Sequence, residues 1–340
     1  MGINISDNSI KIAQIGNKGQ ITALNKITVP DGFIVNGEII KHAEVVKLLK
    51  DLIRETNKKS PVFTNEAICS LPEKFTYLKY AKMPPSSNIN TEINNIIAES
   101  FPEEIDKLYV DWQIVNQKKA KLSNEPIEIM IGACSKELIE SYIKVFEEAG
   151  IILISLEIES LAIARAVADM NPLESLPLGI IDIGAKSSIF IIYNKNVRFS
   201  IIISFSGDKI TNLLAATLNI TPKQAEKAKI LCGLDQKKAK GAVKKVLTPL
   251  TADLLKKIKE IENYYINYLG GENFSKILLT GGAANLQGID KLIQEGSQVK
   301  VEICDPLINL KTNLNEVKES KQELLSYATA MGLALNGIKS

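Results

Sequence analysis

Asp182-Ile183-Gly184, followed by Ala185, Lys186, Ser187 and Ser188, is a set of residue types suited to a phosphate group. One carboxylate can serve a hard cation such as magnesium, and a turn of small residues offers backbone N–H groups and hydroxyls to an anion. Apolar residues flank the turn, Ile180 and Ile181 before it and the run IFIIY after it, up to a second turn at Asn194-Lys195-Asn196. The stretch 180–197 therefore predicts a β-hairpin. Taken alone, it is equally well a strand, a turn and a strand with no ligand.

Residues 3–15, INISDNSIKIAQI, repeat the pattern. Asn4 falls where Asp182 falls and Ser6 where Gly184 falls, with one extra residue in the second turn. Two such hairpins half a chain apart imply two related domains facing one another across a cleft. Further along, the apolar run 276–280 ends in Gly281-Gly282-Ala283. A glycine pair there either lets the backbone approach a flat ring or a sugar, or makes a tight strand-to-helix turn.

The elements that would position these groups follow from periodicity. Apolar residues at 45, 46, 48, 49, 52 and 53 predict an amphipathic helix over 43–57. Strands are expected at 67–71, 75–80, 108–116 and 127–133, with turns at 29–32 and 37–40, a break at 83–85 and helices at 90–100 and 136–149. The FPEE stretch at 101–104 would end the first of those helices, and Gly150 the second. This block reads as an inserted α+β module. A strand over 151–158 leads to Glu157 and Glu159, Ser160 is the expected cap of a helix over 161–170, and 171–177 is the expected hinge. Helices at 209–218, from Thr221-Pro222, at 250–269 and from Gly288 follow, and 324–335 predicts a buried small-residue helix.

Bulk properties exclude several classes. At 340 residues two domains are expected, and 41 basic against 39 acidic residues argues against a nucleic-acid partner. The four cysteines lack metal spacing and fit reduced thiols, and a single histidine, His42, rules out a multi-histidine zinc site or a Ser-His triad. The apolar strand beginning at Ile3 leads to the expectation of no signal peptide. The most apolar stretch, 149–170, carries Glu157, Glu159, Arg165 and Asp169, which argues against direct membrane insertion.

In order and spacing, GINISDNSIKIAQI, VPDGFIVNGEI, IIDIGAKSSIFII, SFSGDKITNLLAATLNITPKQAEKAK, ILLTGGAANLQGID and SYATAMGLAL resemble the actin-like ATPase superfamily. Within it the chain resembles the PilM family of type IV pilus assembly proteins, relatives of the division protein FtsA. The resemblance implies an α/β fold of two related domains around a nucleotide cleft, with an inserted α+β subdomain of the 1C type. Subdomain 1A would comprise 1–28, 151–178 and 320–340, and 1C would span 29–150. Subdomain 2A would comprise 179–210 and 273–319, and 2B 211–272.

The same resemblance implies ATP or ADP with Mg2+ as ligands. Ser9 and Lys11 match the first phosphate loop; Asp182, Gly184, Ala185, Lys186 and Ser187 lie at the second, with Asp182 toward the metal. Glu226 and Lys229 match the helix flanking ribose and adenine, and Gly281, Gly282 and Ala283 the adenosine loop. Glu159 matches the position of the residue that orients the attacking water; a glutamate favoured by a helix start is the other reading. Asn4, Ser6 and Asp7-Asn8 depart from the family's first loop. Loss of a carboxylate at Asn4, a Cβ at Ser6 and a negative charge at Asp7 argue against hydrolysis.

The function implied is a cytoplasmic scaffold of a type IV pilus or related secretion machine, associated with the inner membrane through partners. The partner would be the N-terminal cytoplasmic peptide of a PilN-like protein in a groove between 1A and 1C, with 43–53 and 71–80 as candidate walls; self-association is a further expectation. An FtsA-like filament protein would be expected to carry an amphipathic C-terminal extension, which residues 336–340 do not resemble. An actin-fold phosphotransferase would be expected to keep a carboxylate at Asn4.

Overall fold

A computed structural model describes residues 1–60, 64–84, 88–100, 104–115, 126–169 and 177–337. The chain begins with β1 (Gly2–Ile5), β2 (Ser9–Ile15), β3 (Ile21–Thr28) and a small hairpin, β4 (Ile34–Val35) and β5 (Glu38–Ile39). Helix α1 (His42–Lys59) leads to β6 (Glu66–Leu71). Next come β7 (Thr76–Met83), α2 (Ile89–Ser100), β8 (Leu108–Ile114) and β9 (Ile127–Ser135). Helix α3 (Lys136–Ala149), β10 (Ile152–Ile158) and α4 (Glu159–Val167) complete the first half.

The second half opens with β11 (Leu178–Ile183), β12 (Ser188–Asn194) and β13 (Asn196–Ile203). Helices α5 (Gly207–Leu218), α6 (Pro222–Cys232) and α7 (Ala242–Leu269) precede β14 (Lys276–Thr280). Helix α8 (Ile289–Ser297), β15 (Lys300–Ile303), α9 (Lys321–Leu324) and α10 (Ala328–Asn336) close the chain.

The two halves are built alike. One five-stranded sheet has the order β10-β6-β1-β2-β3 and the other β15-β14-β11-β12-β13, so each is an antiparallel meander with two parallel strands added beside its first strand. The apolar runs around Asp182 reflect burial of the second sheet on both faces. Ile181, Ile183, Phe190 and Ile192 pack toward α5 and α7, while Ile180, Ile189 and Ile191 pack with α4 and Ala328. Helices α4 and α10 end the two halves and lie against each other. Gly332 allows this, since a Cβ there would lie 1.8 Å from the Ala162 carbonyl oxygen.

A three-stranded sheet, β7-β9-β8, has its own core of Met83, Ile93, Ile97, Leu108, Ile129 and Ile131. This corrects the module expected over 29–150. Strand β6 pairs with β1 and β10, and Val45, Leu49, Tyr142 and Phe146 of α1 and α3 bury against the first sheet. The inserted sheet therefore spans only β7 to β9.

Smaller differences have local causes. Asn36 and Gly37, with φ of 54° and 90°, make the two-residue turn of the β4–β5 hairpin where a plain turn was expected over 37–40. Helix α7 begins before Pro249 and carries it in its interior. Ser160 lies inside α4, whose flanking residue is Ile158. The expected break through Pro85, the FPEE stop at 101–103, strand residue Asn116, the end of the 161–170 helix at Met170, the hinge over 171–176 and the final residues 338–340 lie outside the described residues. No helix among the described residues is long and apolar enough to cross a membrane.

Candidate functional site

The first strand pairs of the two sheets carry equivalent loops. Asn4 pairs with Lys11 and Asp182 with Ile189, each one residue before the end of its strand. Each loop closes on the same bond, Ser6 N–H to the Ser9 carbonyl and Gly184 N–H to the Ser187 carbonyl, both at 3.0 Å. A Cβ at Gly184 would strike the Ser187 oxygen at 2.4 Å. At Ser6 the Cβ is accommodated, and its hydroxyl donates to the Ser9 carbonyl at 2.8 Å.

Between the loops Lys11, Asp182 and Glu159 are half-buried and act on one another. Burial pushes the Asp182 carboxyl up to about 6, partly offset by the Lys11 charge. Burial, followed by the Asp182 and Glu73 charges, pushes Glu159 up to about 8. Lys11 is held below its ordinary value by burial despite these carboxylates. Glu159 also accepts from Asn4 Nδ2 at 3.4 Å and from the Thr329 hydroxyl at 3.5 Å. It is the first residue of α4 and is half-buried between the two loops, not exposed at the helix start.

Gly184, Ala185, Lys229 and Ala283 meet at Gly207, at the start of α5. Its N–H bonds the Gly184 carbonyl at 3.0 Å, and the Asp208 N–H bonds Ala185 at 2.8 Å. A Cβ on Gly207 would lie 3.4 Å from Ala283, 3.5 Å from Lys229 Nζ and 3.6 Å from Ala185. The second loop, the 281–283 loop and α6 thus meet at one small residue. Lys229 donates to the Gly207 carbonyl at 3.1 Å and pairs with Glu226 at 2.6 Å. Gly281 has φ 86°, and its ideal Cβ would lie 2.8 Å from Asp182 Oδ1; only glycine fits this approach. Gly282 follows it in the turn, and Thr221 caps α6 through a reciprocal pair with Gln224.

Two loop residues are engaged by partners outside their own loops. Asp7 does not present its charge to the cleft; its carboxylate accepts the N–H groups of Asn36 and Gly37, both at 2.8 Å. Lys186 reaches across the cleft to Asp31 at 3.4 Å and also pairs with Asp208 at 3.3 Å, while Asn8 donates to Asp208 at 3.4 Å. These cross-cleft partners carry no sequence motif.

The residue types here suit a nucleotide with magnesium. Asp182 is a partly buried carboxylate with the Lys11 charge acting on it, beside exposed Ala185, Lys186 and Ser187, and glycine at 184 and 281 lets the two loops pack closely around it. Among the described residues no three His, Cys, Asp or Glu side chains gather as a metal cage.

A second concavity, of about 650 Å³, lies between the inserted sheet and the first half. Its walls are β8 and β10, each an outer strand of its sheet, and its apolar lining includes Leu78, Met130, Leu156 and Leu161. Arg165 makes a two-pronged pair with Glu157 on the floor, and Asn336 Nδ2 donates to the same carboxylate at 3.3 Å. Of the expected groove walls, 71–80 contributes Leu71 and Leu78, whereas 43–53 contributes nothing. The apolar face of α1 is spent on the first-half core.

The paired sheets, the facing loops and the cleft between them define a protein of the actin-like ATPase fold. The chain belongs to the family described as type IV pilus assembly protein PilM, whose model matches residues 2–338. The structure is similar to a PilM–PilN type IV pilus biogenesis complex, with TM-score 0.83 and 18% identity over 100% of this chain and 98% of that one. It also resembles the ethanolamine utilization protein EutJ of Carboxydothermus hydrogenoformans, with TM-score 0.61 and 14% identity over 99% of this chain and 89% of that one. MreB5 of Spiroplasma citri bound to ADP gives TM-score 0.55 and 13% identity over 99% and 95%. Among curated sequences, cell division protein FtsA of Buchnera aphidicola subsp. Acyrthosiphon pisum is 22% identical over 241 residues. That match spans 63% of this chain and 56% of the relative.

Proposed function

We propose that the chain is a nucleotide-holding scaffold of type IV pilus assembly that captures an extended N-terminal peptide of a PilN-like inner-membrane protein. The groove between β8 and β10 carries this reading. Two outer strand edges offer backbone groups to an added strand, and the apolar lining offers pockets for alternate side chains. Likeness to the PilM–PilN complex supports the choice of partner. Membrane association follows from the partner, at the cytoplasmic face of the inner membrane.

In the cleft, Asp182 would hold magnesium, which would offset phosphate charge. Ser9, Lys11, Ala185 and Ser187 would face the phosphates, and Gly281, Gly282, Ala283, Glu226 and Lys229 the nucleoside. Likeness to ADP-bound MreB5 supports a nucleotide here. With Asn4 where a second carboxylate would sit, we assign Glu159 to holding a proton and the loop geometry, with binding favoured over turnover. Calorimetry with ADP, ATP and magnesium tests this. Binding that weakens at least about tenfold in Asp182→Asn, with no phosphate release, is expected. Steady turnover abolished by that substitution would contradict it.

A further inference from the structure

The cleft and the groove share two elements. Strand β12 leaves the second loop at Ser188 and ends at Tyr193 and Asn194, where Tyr193, Lys195, Asn196 and Val197 line the groove. Helix α4 begins in the cleft at Glu159, and its Leu161, Ala164 and Arg165 line the groove. Rigid elements with one end in each site are one physical means by which two sites can be coupled.

Glu73 joins these elements to the inserted sheet. It lies in the short turn Glu73–Phe75 between β6 and β7, at the root of the module. One carboxylate oxygen accepts the Ser160 N–H of α4 at 3.2 Å, and the other accepts the Ser200 hydroxyl of β13. The two serine hydroxyls are 3.3 Å apart, and Ser200 stands opposite Ile191 on β12. One side chain of the module therefore bonds the first half and the second half together. Burial pushes the Glu73 carboxyl up, and the hydrogen bonds from Ser200 and Ser160 oppose that shift.

We propose that Glu73 is a positioning residue that couples the nucleotide cleft to the peptide groove. Rotation of one half against the other changes the spacing of Ser160 and Ser200. Glu73 can keep both bonds only if the root of β7 moves with them, and β7 carries β9 and β8, the groove wall. Arg198 of β13 lies over the Tyr80 ring at 4.0 Å and pairs with Glu128 at 3.6 Å. That second contact holds the module in place when Glu73 or Ser200 is altered. Coupling of this kind is reciprocal, so peptide changes nucleotide affinity by the same factor.

The inference rests on the proposed nucleotide and peptide sites, and its test separates the two. A synthetic N-terminal peptide of a PilN-like protein is titrated into the full chain with and without saturating Mg-ADP or Mg-ATP. In the wild type, nucleotide shifts the peptide Kd by about fivefold or more. In Ser200→Ala and Glu73→Ala the ratio falls within about twofold of one, while each ligand alone still binds. Glu73→Gln, whose amide can serve both serines, retains the shift. Should Glu73→Ala fail to fold, Ser200→Ala decides. An unchanged ratio in Ser200→Ala, or a ratio of one in a wild type that binds both ligands, overturns the coupling alone. Failure of the wild type to bind peptide or nucleotide overturns the reading beneath it.

Discussion

Asn4 and Asp182 occupy the same place in two copies of one hairpin and differ by a single charge. Asn4 donates to Glu159 at 3.4 Å and accepts from the Ser70 hydroxyl at 3.4 Å. Its amide therefore serves a carboxyl that is itself raised to about 8, mainly by burial and then by Asp182. The first loop thus lacks the carboxylate that the second keeps, and burial with the Asp182 charge favours the protonated form of Glu159 beside it.

The Asn4→Asp substitution removes the amide donor and adds a third carboxylate beside Glu159 and Asp182. In chelator at pH 7 it should cost on the order of 1–3 kcal/mol in denaturant unfolding. Magnesium with ADP should return part of the loss. An unchanged midpoint without magnesium would show that the amide has no such role.

Stability should depend on pH with a definite sign. Glu159 titrates at about 8 in the folded chain, against a reference value of 4.5, so the native state keeps a proton that the unfolded state has released. Between these values its contribution falls as pH rises. Asp182 acts in the same direction between its reference value of 3.8 and about 6. Glu159→Gln should therefore flatten the decline of Tm from pH 5 to 8 and exceed the wild type at the upper end. A variant whose Tm falls as steeply as the wild type's would refute the assignment.

The groove floor makes a separate prediction. Removing the Arg165 side chain leaves the Glu157 carboxylate, 9% exposed, without its guanidinium partner while Asn336 still donates to it. Arg165→Ala should cost about 3–5 kcal/mol. Replacing both partners, Arg165→Met with Glu157→Leu, should cost less, because no carboxylate is then left without its cation. A double variant as unstable as the single one would assign the loss to packing.

Much of the site was legible because it is local. The hairpin around Asp182, the Gly281-Gly282 turn and the repeat of 3–15 are set by residues close in sequence, and their strands and turns form where periodicity places them. What stayed hidden depends on long-range contacts. Strand β6 looks like part of an inserted block until it pairs with β1, and Glu73 reaches Ser160 and Ser200 from 87 and 127 residues away. The apolar face of α1 carries the same pattern whether it lines a groove or a core; only its packing on the first sheet distinguishes them. Asp7 likewise belongs to the β4–β5 turn, which its own loop does not reveal.

Peptide capture between β8 and β10 is the claim on which the scaffold reading stands, and a titration with the N-terminal peptide of a PilN-like protein tests it. Trp112 and Tyr109 line the groove and are 38% and 46% exposed, so truncating them spares the core. Saturable binding by the wild type, weakened about tenfold or more by Trp112→Ala with Tyr109→Ala, is the predicted result. Equal affinity in the wild type and the double variant would contradict it.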